Sequence, residues 1–249
     1  MIGSFKYLII LVAIFSSFCL SEAAVVPTNI LQRVLNVRVG TSTGTAFTIE
    51  VDGRQYLITA KHVLESSSSL TQIDIFHNDA WVMLPCKRIA LEPETVDIAV
   101  LAFDQQITKI LPIQVGIKGT YVSQEVFFVG FPYGLSIDGR ELNAGFPLPF
   151  VKHGIVSAFG KRGEPFIVDA INNLGFSGGP IVRPDSATNP TIIGVVSGYR
   201  WTPESVFIKD QRTELSIQAN TGLLIAYDID YAIEAIKKNP IGWRVQLPP

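Results

Sequence analysis

Cysteine and histidine are scarce in this chain, with two and three copies among 249 residues. Cys19 lies in an N-terminal apolar run that reads as removable, which leaves Cys86 with no partner for an intrachain disulfide. A disulfide-stapled digestive enzyme is thereby excluded, and Cys86 reads as a small buried apolar residue. His62, His77 and His153 include no pair at ligand spacing and there is no cysteine cluster, so a metal centre is excluded and no cofactor is called for. Charged residues make up only 17% and the net charge is −2, with no basic cluster, so neither nucleic acid nor an anionic membrane surface is expected as a partner. Internal repeats are absent, and the only low-complexity stretch is Ser66–Ser69.

What is abundant is apolar sequence, at 47%. Lys6, the apolar run Tyr7–Leu20 and the small residues Ser21 and Ala23 read as an export signal over 1–23, cleaved before Ala24. The run is too short for a stable membrane anchor, and bulky Phe18 before Cys19 does not suit a lipoprotein signal. The mature protein is therefore expected in a periplasm or outside the cell. Beyond Gln32, short apolar strands alternate with Gly and Pro turns, and Asp52-Gly53 marks a tight hairpin. This predicts an all-β fold, with strands over 35–39, 45–51, 55–59, 72–77, 80–84 and 97–103 in a first unit spanning 24–115. A second unit, 116–227, carries strands over 125–129, 150–158, 165–169, 180–182, 191–197 and 223–227. Two long connections, 133–148 and 199–218, interrupt it, and loops of that length are commonly functional or mobile. Asp228 is expected to cap a C-terminal helix within 228–249 that Lys237 and Lys238 close and Pro240 stops.

The chemistry centres on Asn173-Leu174-Gly175-Phe176-Ser177-Gly178-Gly179-Pro180. Glycine at −2, +1 and +2 of a serine implies a backbone that turns tightly and comes close to something else. Such a backbone can aim the N–H groups of Gly175 and Ser177 at one point beside the hydroxyl, as an oxyanion hole requires. Serine needs a base, and the base needs an orienting group. His62, in Thr59-Ala60-Lys61-His62-Val63, sits where a strand gives way to a turn, which projects an imidazole into a cleft. His77 and His153 read as structural. Asp97 opens the apolar run Val96–Leu101, where a carboxylate is costly unless it is paired or hydrogen-bonded.

These three segments, in the order His, Asp, Ser, resemble the chymotrypsin-like (trypsin-like) serine peptidases over residues 33–238. The second half is most similar to the bacterial Deg/HtrA branch, through Asp169–Ser177, Gly130–Leu135 and Gly154–Ala158. The resemblance implies two six-stranded antiparallel β-barrels with a C-terminal helix, and an endopeptidase acting through a Ser-His-Asp triad and an acyl-enzyme. Ser177 would be the nucleophile, His62 the base and Asp97 its orienter, with Gly175 and Ser177 forming the oxyanion hole. Ser197 would stand beside the aspartate, and Ser197, Gly198 and Tyr199 would line a protein or peptide substrate as an antiparallel strand. Ile171 and Asn172 would lie near the floor of the specificity pocket. They supply no carboxylate, so a small-to-medium apolar residue before the cut is expected rather than Lys or Arg. Phe176 replaces the aspartate that pairs with a newly cut N-terminus in digestive enzymes, so activation of that kind is not expected. The chain ends soon after its helix, so the PDZ domain common in the Deg branch is expected to be absent.

Two other readings compete. Gly175-x-Ser177-x-Gly179 also fits the nucleophile elbow of α/β-hydrolases, but that fold places its histidine after the serine and none follows Ser177. A catalytically silent binding protein on a peptidase scaffold is the alternative that remains.

Overall fold

The computed structural model describes residues 25–64, 71–185 and 190–245. The export signal, the Ser66–Ser69 loop and the last four residues lie outside them. A short helix, α1 (Thr28–Leu31), leads into β1 (Val34–Val39), β2 (Ser42–Val51), β3 (Arg54–Thr59), a 3₁₀ turn (Lys61–Leu64), β4 (Gln72–His77), β5 (Ala80–Pro85), β6 (Lys87–Ile89) and β7 (Ala99–Ala102). The second series comprises β8 (Gln114–Val115), β9 (Glu125–Gly130), β10 (Phe150–Ala158), β11 (Phe166–Asp169), β12 (Pro180–Arg183), β13 (Thr191–Ile208) and β14 (Gln211–Asp228). Helix α2 (Asp230–Lys238) and β15 (Trp243–Arg244) complete the described chain.

The first sheet runs β5-β4-β1-β2-β3-β7-β6, with β15 added along β3. Its two end strands are consecutive in the chain, so residues 80–89 pair with β4 through their first half and with β7 through their second. That curls the sheet round on itself. The second sheet runs β12-β9-β10-β11-β14-β13, and an additional β12–β13 pairing closes it into a ring, with β8 parallel to β13. This is the double-barrel architecture expected from the sequence.

Strand alternation decides where each apolar side chain goes, because successive residues face opposite sides of a sheet. Leu57 and Leu101 point into the first barrel, while their neighbours Ile58 and Val100 join a cluster between the barrels. Phe128 and Val196 fill the second barrel, and Val129 and Val195 face the inter-barrel cluster, which α2 covers with Ala232 and Ile236. Cys86 is free and buried, and burial pushes its thiol up to about 11.

One of the two long connections differs from expectation. Residues 199–218 are not a loop: β13 and β14 form one hairpin of two 18-residue strands. Its turn is Lys209-Asp210, both at positive φ (49° and 61°), where neither residue type signals a two-residue turn as Asn-Gly would. Pro203 inside β13 further disguises the strand. The 133–148 segment folds back through a bridge between Ile137 and Leu148 and reaches the first barrel, where Gly145 accepts the Asn78 N–H at 2.8 Å.

Helix α2 begins at Asp230, and Asp228 serves it from two residues upstream, its Oδ1 accepting the Asp230 N–H at 2.8 Å. Burial, with Asp230 and Glu234 close by, pushes the Asp228 carboxyl up to about 6. A raised carboxyl binds its proton more tightly in the folded state, so the penalty is absent below the ordinary range near 4 and complete above about 6. Asp228→Asn, which keeps the acceptor, is expected to raise stability at pH 8 by about 1–2 kcal/mol, or about 2–8 °C in Tm, after allowance for solvent screening. Thermal melts should show no gain at pH 4.

Candidate active site

All three glycines of the Ser177 motif are dictated by contact with other parts of the backbone. A Cβ at Gly175 would be driven into the Phe131 carbonyl oxygen, one at Gly178 into that of Thr45, and one at Gly179 into that of Val129. Gly175 and Gly178 also adopt positive φ, at 99° and 86°. The loop is thus wedged between β2 of the first barrel and β9 of the second. Phe176 is fully buried and packs edge-on against Phe128 at 5.0 Å. Apolar packing holds the position where digestive enzymes carry their aspartate.

Sequence reasoning missed the residue that fastens this wedge. Thr45, fully buried on β2, receives the Phe131 N–H on its Oγ1 at 3.1 Å and donates the same hydroxyl to the Gly175 carbonyl at 2.6 Å. Its own N–H donates to the Ser177 carbonyl at 2.8 Å. One first-barrel residue therefore fixes both carbonyls flanking Phe176. The N–H groups of Gly175 and Ser177 have no partner among the described residues.

Lys152 on β10 was also missed. Its ammonium reaches the Ile171 carbonyl and lies 3.0 Å from Asn173 Oδ1, over the rings of Phe128 and Phe176 at 5.7 and 5.9 Å. Burial holds its pKa below the usual lysine range. No local motif marks either residue, because every partner is distant in sequence.

His62 enters from the 3₁₀ turn after β3. Its Nδ1 stands 2.6 Å from Asp97 Oδ2, and its backbone N–H donates to Asp97 Oδ1 at 2.9 Å. Ser197 Oγ donates to Asp97 Oδ2 at 2.5 Å. Burial opposes ionisation of Asp97, yet the His62 and Ser197 hydrogen bonds and the His62 charge outweigh it and hold the carboxyl below its usual range. An ionised carboxylate only accepts, so the proton shared between His62 and Asp97 lies on Nδ1. Ser177 Oγ donates to the Ser197 carbonyl at 3.1 Å, with no hydrogen bond to His62. Ser197 thus touches both the carboxylate and the hydroxyl. His77 and His153 lie elsewhere: His77 Nε2 contacts the Ala144 carbonyl, and His153 lies 3.8 Å from Glu125.

Asn172 is buried and donates to the Gly198 carbonyl at 3.1 Å, while Ile171 is 62% exposed. Asn220 on β14 donates to the Asn172 carbonyl at 2.7 Å, tying the approach to Ser177 to the base of the hairpin.

The model for the trypsin-like peptidase domain matches residues 44–188. The chain belongs to the trypsin-like peptidases. No curated protein matches it by sequence. Solved structures resemble its fold at low identity. The HtrA-type protease AlgW with tripeptide gives a TM-score of 0.55 at 22% identity, covering 85% of this chain and 61% of that one. A serine endoprotease from Yersinia pestis gives 0.55 at 22% identity, over 87% and 67%. Rv3671c from M. tuberculosis, as an inactive serine-to-alanine mutant, gives 0.53 at 16% identity, over 85% and 88%. The trypsin-like peptidase thus spans about 61–67% of the two HtrA-type or endoprotease chains it resembles.

Thr45→Val keeps the shape of the side chain but strands the Phe131 N–H and the Gly175 carbonyl. We expect a loss of about 1–3 kcal/mol in denaturant unfolding and a fall in kcat larger than any rise in KM, with Thr45→Ser restoring both. Gly175→Ala is expected to fold with a displaced loop and to lose at least about 100-fold in kcat/KM.

Proposed function

We propose that this chain is an exported serine endopeptidase that cleaves polypeptides through Ser177, His62 and Asp97 by way of an acyl-enzyme. The observation that carries the reading is the His62–Asp97 contact at 2.6 Å, backed by Ser197 and set beside the hydroxyl that Ser177 offers. For attack, the Ser177 hydroxyl turns from the Ser197 carbonyl toward His62 Nε2. His62 accepts the proton as Oγ adds to the scissile carbonyl, and later returns it to the leaving amine. Asp97 stays ionised, fixes the tautomer and stabilises the imidazolium. The free N–H groups of Gly175 and Ser177 receive the oxyanion.

Substrate would lie along Ser197, Gly198 and Tyr199, antiparallel to β13. Asn172, held against the Gly198 carbonyl, supplies no carboxylate there, which supports a small-to-medium apolar residue before the cut. Export is supported by the N-terminal signal pattern. Among the described residues no helix is long and apolar enough to cross a membrane.

A serine-directed fluorophosphonate separates this reading from a silent scaffold. The protein should label, and Ser177→Ala and His62→Ala should not; a wild-type chain that never labels would support the binding-protein alternative. Asp97→Asn should fold normally and lose roughly 10⁴-fold in kcat through the wrong tautomer. Near-native turnover in that variant would exclude Asp97 as the orienting group.

A further inference from the structure

Strand β13 does not end at the cleft. Its pairing with β12 stops at Val195, whereas its pairing with β14 continues to Ile208. The other neighbour of β14, β11, reaches no further along it than Leu223. Between Trp201 and Asn220 the two strands therefore form an arm with no third strand on either edge among the described residues. Trp201, Phe207, Ile208, Leu215 and Ile217 on this arm are all more than half exposed. An isolated two-stranded ribbon is marginal in water, and an open edge beside exposed apolar side chains is a template for another strand.

We propose that the arm is an extended docking strand for substrate. The open β13 edge beyond Tyr199 pairs with the apolar stretch of an unfolded polypeptide that lies N-terminal to the bond being cut. This rests on the reading of Ser177 as nucleophile.

Direction selects the occupant. A chain antiparallel to β13 with its scissile carbonyl at Ser177 has its upstream residues running from Ser197 toward Ile208. The edge that would hold the residues next to the cut is thus continuous with the arm. From Tyr199 to Ile208 the strand spans about 30 Å, room for about eight further residues. Within the arm Lys209 and Arg212 stand against Glu204, Asp210 and Glu214, and Arg200 at its base offsets the third acid, so charge does not select the ligand. Recognition falls to main-chain pairing and the apolar side chains. Pro203 withholds one N–H, and the bulges after Val196, Tyr199 and Ser205 twist the edge.

The test uses fluorogenic peptides that share one cleaved sequence and carry four to twelve upstream residues. In the wild-type protein kcat/KM should rise about tenfold or more between four and ten upstream residues. Replacing residues 202–219 by an Asn-Gly turn between the paired Trp201 and Asn220 should abolish that rise. The shortened protein should still label with fluorophosphonate and cleave the four-residue peptide as before. On the wild-type protein alone, single N-methylation along the upstream residues should lower kcat/KM at alternate positions. Flat length dependence in wild-type protein that labels, a length gain that survives shortening, or N-methylation effects without alternation would each overturn the proposal. So would a dimer that dissociates on shortening while length dependence stays flat, which would assign the arm to a second copy. A wild-type protein that fails to label removes the nucleophile itself, and the proposal with it.

Discussion

The hydrogen bonds that Thr45 makes across the barrel interface are the constraint on which the site depends. The first barrel supplies His62 and Asp97, and the second supplies Ser177. The apolar cluster between the two curled sheets is non-directional. Thr45 adds direction beside the Ser177 loop, through its N–H to the Ser177 carbonyl and its hydroxyl between the Phe131 N–H and the Gly175 carbonyl. The N–H groups of Gly175 and Ser177 have no partner among the described residues. The glycines complete the arrangement by letting the loop lie against the backbone of both barrels.

The site is partly assembled at rest. Asp97 already accepts from the His62 N–H, His62 Nδ1 and Ser197 Oγ, so imidazole orientation is paid for in folding. Only Ser177 Oγ remains turned, toward the Ser197 carbonyl. Phe176 packed on Phe128, and Lys152 bound to the Ile171 carbonyl and the Asn173 side chain, brace the approach to Ser177.

Much of this was legible in the sequence wherever the constraint is local. The glycines at 175, 178 and 179 announced close approach because no other residue fits there. Asp97 at the head of a buried run announced a partner because burial of a lone carboxylate is costly. The strands with clean alternation were placed within a few residues, while β6 and β8 were too short to register. Thr45 and Lys152 were invisible because their roles exist only once distant segments meet. The β13–β14 arm was hidden for another reason: its turn, Lys209-Asp210, lacks the glycine of an Asn-Gly or Asp-Gly hairpin signal, and Pro203 stands inside a strand.

The most direct measurement is a crystal structure with a peptide boronic acid bound. The account predicts a boron–oxygen bond to Ser177 Oγ, one boronate oxygen within hydrogen-bonding distance of both the Gly175 and Ser177 N–H groups, and His62 Nε2 on the adduct. Thr45 should keep its contacts with the Ser177 and Gly175 carbonyls. An adduct whose oxygen faces away from those two N–H groups, or a boronate bonded to another residue, would contradict it.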